Sequence, residues 1–153
     1  YLVYACRKFL SWGWLATIIS LGLFIVALTQ LEYAIRCNGG PCLNGSLGYV
    51  PALVVLLLFG VMLQAGSHPA GESLVWAGLI FTVSLAFRTV DREICELTDL
   101  FGTGPVGTHF IWHVLNAVLL YLLLRAAIRH GDFSDRVRRG FVAAGPPRAQ
   151  DVL

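Results

Sequence analysis

The chain has 153 residues, 57% of them hydrophobic and 13% charged, with a mean hydropathy of +0.73 and a formal net charge of +2. Soluble domains carry about 25% charged residues. The composition therefore excludes an ordinary soluble domain, a disordered chain and a nucleic-acid binder, and the length suits about four membrane helices of about 20 residues each.

The chain begins at Tyr1, and no basic n-region with a small-residue cleavage site precedes the first apolar run, so the start reads as a processed or partial chain rather than a signal peptide. From Phe9 to Leu31 no residue is charged, a run long enough to cross a bilayer. A Gly/Pro/Asn-rich turn at Asn38 to Gly48 leads into a second run, Leu47 to Ala65. Pro51 lies in its first turn, where a missing N–H costs little. The third run, Ser73 to Phe87, is short and spans only if it continues through Arg88 and Asp91 to about Ile94. After a Gly-Thr-Gly-Pro turn at Gly102 to Pro105, the fourth runs from Thr108 to about Ile128. Backbone groups in lipid must satisfy one another, so these runs read as helices. The expected fold class is all-α: an integral membrane bundle of four transmembrane helices over residues 1–131, then a polar tail at 132–153 that is expected to be disordered.

Basic residues set the orientation. Arg7 and Lys8 precede the first span; Arg125, Arg129, Arg136, Arg138 and Arg139 mark the end of the last, so both termini are expected on the cytoplasmic side. The tail reads as a topology signal and solvated segment, with a patch for anionic lipid as the alternative. Arginine outnumbers lysine ten to one, a composition that hints at a GC-rich bacterial genome and hence at the bacterial inner membrane. Cys37, Cys42 and Cys95 then share the outer side with Glu93, Glu96 and Asp99. A disulfide among these three cysteines is expected in an oxidising compartment, with its connectivity open. Cys6 reads as a buried thiol.

Ionisable residues inside spans are costly, so each is a functional hypothesis. Ser84, Arg88, Asp91 and Cys95 are spaced by four, seven and eleven residues, one face of a continuous helix. A structural Arg88–Asp91 pair at the membrane edge is the plainer reading. His109, His113 and Asn116 also share one face. Two histidines one turn apart can place two imidazoles on one metal ion, usually zinc; a pair of hydrogen-bonded interfacial histidines is the alternative. The third helix runs outward and the fourth runs back, so the two stripes can face each other, with Asp91 placed to orient a ligand histidine. Phe110 occupies the position where a zincin needs Glu, and one helix turn cannot supply the opposed ligands of a haem. His68 and His130 read as loop and solvated histidines.

The stretch Phe87-Arg88-Thr89-Val90-Asp91-Arg92 with Cys95, then His109-Phe110-Ile111-Trp112-His113, Leu115-Asn116-Ala117 and Tyr121-Leu122-Leu123-Leu124-Arg125, resembles the alkaline ceramidase family of seven-helix membrane hydrolases. That family belongs to a superfamily with the adiponectin and progestin receptors. The resemblance covers about 40 residues closely, on the scale of two helices. It implies that the four spans correspond to the last four of seven, that His109 and His113 bind zinc, and that Trp112 lies beside the metal against the substrate. It implies a third histidine from a Ser-x-x-x-His element and an aspartate on earlier helices; no His of this chain has Ser four residues before it. The implied reaction is hydrolysis of the amide of ceramide or a related lipid amide by a zinc-activated water. By this reading the chain holds part of the site and is a fragment of a longer hydrolase. The competing reading is a non-enzymatic four-helix scaffold, or a receptor-like relative, with a structural histidine pair.

Overall fold

The computed structural model describes residues 1–35, 42–100 and 107–132, and every regular element among them is helical. Two short helical turns, Leu2–Tyr4 and Ala5–Phe9, open the chain. The longer helices are α1 (Trp14–Ala34), α2 (Val50–Ala65), α3 (Ala70–Thr89), α4 (Asp91–Leu100) and α5 (His109–His130). Four stretches, in α1, α2 with its preceding 3-10 turn, α3 and α5, are long and apolar enough to cross a membrane. The all-α, four-span architecture is therefore as expected.

Two boundaries differ from the sequence expectation. The first span starts at Trp14, not Phe9. Ser11 adopts a left-handed backbone (φ 54°) and Gly13 an extended one, which breaks the helix between Phe9 and Trp14. The residues before the break fold as a separate segment whose Ala5, Cys6 and Phe9 are buried. The third span does not continue to Ile94. It gains its length at the other end, starting at Ala70 directly after Pro69, and it ends at Thr89. Val90 (φ −90°, ψ 2°) closes α3, and its carbonyl accepts the N–H of Ile94 to open α4. Asp91 and Glu93 in the first turn of α4 complement the positive end of its dipole.

The central helix is α3, which packs most extensively on α5 and on α2, while α1 touches its neighbours lightly and stays largely exposed. Close approach of α2 and α3 depends on small residues. A Cβ on Gly71 would lie 2.5 Å from the Gln64 backbone nitrogen, and one on Gly60 2.9 Å from that of Val75. Such small-residue contacts let backbones approach where burial against lipid offers no drive. One cluster of buried side chains joins Cys6, Phe9, Phe59, Leu63, Leu74 and Ala126; a second joins Ala77, Phe81, Leu85 and Leu119. An apolar cavity of about 470 Å³ lies among the spans, against Phe24, Phe59, Phe81 and Leu119.

At the end of the bundle where α2 meets α3, the opening segment closes over the helix ends. Tyr4 Oη donates to the Ala127 carbonyl at 2.8 Å, and Lys8 Nζ lies 3.8 Å from Asp132 Oδ1. His68 is buried, with its ring against Phe9 and its Nδ1 accepting the Ala70 N–H at 3.1 Å. Burial, and then the neighbouring His130, hold the His68 imidazole below its ordinary pKa. His130 is half-buried as the last residue of α5, not solvated as the sequence suggests.

Candidate functional site

The polar residues singled out in the sequence gather where α3 ends, α4 begins and α5 starts. The contact layers follow the antiparallel pair outward. Ser84 is fully buried, and its hydroxyl donates toward Asn116 Oδ1 at 3.1 Å, with the Trp112 carbonyl 3.3 Å away. Asn116 therefore serves as a cross-link between α3 and α5. One turn further along, the Arg88 guanidinium carbon lies 4.7 Å from the Trp112 ring centre and 5.2 Å from that of Tyr49. A cation held on two aromatic faces gains about 2 kcal/mol per face when desolvated.

Asp91 and Cys95 do not share a helix with Ser84 and Arg88, because the chain breaks at Val90. Among the described residues no ion pair joins Arg88 to Asp91. The turn carries Asp91 toward the start of α5 instead, so the expected Arg–Asp pair is replaced by a cation on two aromatic rings and a carboxylate facing α5. Asp91 Oδ1 lies 3.3 Å from Thr108 Oγ1, whose hydroxyl donates to the Phe87 carbonyl at 2.8 Å. Asp91 Oδ2 lies 4.0 Å from His109 Nδ1. That separation is too long for a direct hydrogen bond and suits one bridging water. A Cβ on Gly107 would lie 2.6 Å from Asp91 Oδ1, so the carboxylate occupies space that only glycine leaves there.

His109 opens α5 and His113 follows one turn later, both exposed. Their ring centres are 4.8 Å apart, and Trp112 lies 5.2 Å from the first and 4.5 Å from the second. A carboxylate on the Nδ1 side of His109 favours the tautomer with Nδ1 protonated and leaves Nε2 as the ligand atom. In kind, these donors suit zinc. In number they fall short: among the described residues no three His, Cys, Asp or Glu side chains are close enough to share one ion. Catalytic zinc takes three protein ligands, and the described part of the chain presents two.

Of the three disulfide candidates, Cys37 and the side chain of Cys42 lie outside the described residues, and Cys95 is half-buried in α4. The tail from residue 133, with Arg136, Arg138 and Arg139, also lies outside them.

Two contributors are absent from the sequence reading. Tyr49 meets the Trp112 ring at 6.3 Å and shares Arg88 with it; a tyrosine at a span's entrance is a common interfacial anchor, and that was its signal. Thr108, the residue before α5, ties that helix start to the end of α3. Asn44 adds a further tie, its amide donating to the Thr89 carbonyl at 2.5 Å.

No family model matches the chain, and neither a curated protein nor a solved structure matches it.

Proposed function

We propose that the chain carries one wall of a zinc-dependent lipid amidase of the ceramidase kind. The observation that supports this reading is the group formed by His109, His113 and Asp91, with two imidazoles one turn apart and a carboxylate facing the first. Zinc, when bound, supplies a Lewis acid and an activated water. His109 and His113 would hold it, with the remaining ligand drawn from helices that the family resemblance places before these four. Asp91 keeps His109 in the tautomer that presents Nε2. Trp112 stacks beside both rings and restricts how they turn. Arg88, fixed on the other aromatic contacts, holds a positive charge near the same membrane face.

The substrate class follows from the setting. The site sits at the end of spans apolar enough to cross a membrane, which suits a ceramide-like amide whose chains lie in the lipid and whose polar centre lies at the interface. The bacterial inner membrane, with both termini cytoplasmic, is the location proposed.

The test is fatty-acid release from a fluorescent ceramide by protein produced from its whole reading frame. His109→Ala and His113→Ala are each expected to abolish release, while Val118→Ala, on an exposed site of the same helix, retains it. Release that persists in both histidine variants, or none from the parent protein with zinc supplied, would favour the scaffold reading.

A further inference from the structure

At the end of the bundle opposite the histidines, α3 and α5 leave a groove of about 440 Å³ between them. Ser73, Trp76 and Ile80 line one wall at helical spacing; Leu122, Arg125 and Arg129 line the other. Trp76 is 56% exposed and both arginines are exposed, so the groove opens outward from the bundle. Among the described residues no carboxylate pairs with either guanidinium. Glu72 lies in the same groove but in the first turn of α3, where its charge complements the helix dipole. Its single negative charge leaves the two arginines in excess.

The groove is graded along its length. The arginines occupy the end near the helix terminus, and Ile80, Val118 and Leu122 occupy the deeper part. From Arg129 to Val118 the helix rises about 16 Å, close to half of a hydrocarbon core of about 30 Å. A free phosphate would use only the arginine end. A molecule with a charged head and a chain one leaflet long uses all of it.

We propose that this groove seats an anionic phospholipid of the surrounding membrane, its phosphate between Arg125 and Arg129 and one acyl chain along Ile80 and Leu122. Basic pockets between membrane helices recognise headgroups through such pairs, and each arginine can reach toward the interface on its apolar stem. This assignment is independent of the hydrolase reading and stands or falls without it.

The chain is reconstituted in vesicles holding equal parts of phosphatidylglycerol and phosphatidylcholine, extracted gently, and its retained lipid measured by mass spectrometry. The parent protein should retain phosphatidylglycerol at about tenfold excess. R125Q/R129Q should return the ratio to that of the vesicle, whereas R136Q/R138Q/R139Q in the tail should leave the excess intact. Should the double variant fail to fold, R125Q and R129Q made singly should each lower the excess. Retention at the vesicle ratio by the parent protein overturns the proposal. So does an excess that survives the groove substitutions and vanishes with the tail ones.

Discussion

The two ends of the α3–α5 pair handle their histidines in opposite ways. At the Tyr4 end His68 is sealed under Phe9 and the Tyr4 hydroxyl closes on the Ala127 carbonyl, while Arg125 and Arg129 stay exposed in the outer groove. At the His109 end the polar groups are held but left open. Asp91 and Arg88 are fixed by Thr108, Tyr49 and Trp112, yet both histidines remain exposed. A protein gains stability by satisfying its polar groups and gains chemistry by leaving prepared ones accessible. His68 follows the first rule, and His109 and His113 keep the accessibility that the second requires.

Substitutions can break this contrast in order of size. Loss of one imidazole at the open end should weaken zinc binding by more than about a hundredfold, about 3 kcal/mol. Because His109 is 53% exposed, the same change should leave the thermal midpoint of the zinc-free protein in detergent almost unmoved. Gly71→Ala should do the reverse. Its new methyl meets the Gln64 backbone, so it should cost about 2 kcal/mol of stability, read by thermal unfolding, with zinc affinity retained. Tyr4→Phe removes one of the two donors to the Ala127 carbonyl, which keeps the Gly131 N–H, and should cost about 1 kcal/mol on the same assay.

The smallest effect is a pH dependence at the sealed end. Burial lowers the His68 pKa in the folded state, so the unfolded chain binds the proton more readily. Stability from this site is whole above about 6.5, the ordinary histidine value, and declines as pH falls below it. His68→Asn should flatten the thermal midpoint between pH 7 and 5. An unchanged slope would place the dependence elsewhere.

The spans were legible because a bilayer demands long uncharged runs, and the fourth is read almost to the residue. The histidine stripe on α5 was legible for the same reason: in a helix otherwise apolar from Phe110 to Leu124, two imidazoles at a four-residue spacing stand out. The break at Val90 was not, since nothing in Thr89-Val90-Asp91 forbids a helix; the turn shows only in the backbone. That break redirects Asp91 from Arg88 to Thr108 and His109, which is why the carboxylate's partner was not decided by spacing on one helix. Likewise the cradle around Arg88 joins residues 49, 88 and 112, a long-range contact that no local pattern announces.

Metal content separates the zinc assignment from a structural histidine pair. Zinc is measured on protein purified in detergent from its whole reading frame, beside His109→Ala, His113→Ala and Asp91→Asn. The zinc assignment predicts one zinc per chain in the parent, background in either histidine variant, and an affinity about tenfold to a hundredfold weaker in Asp91→Asn. Zinc retained at the parent level after both histidines are removed would contradict it.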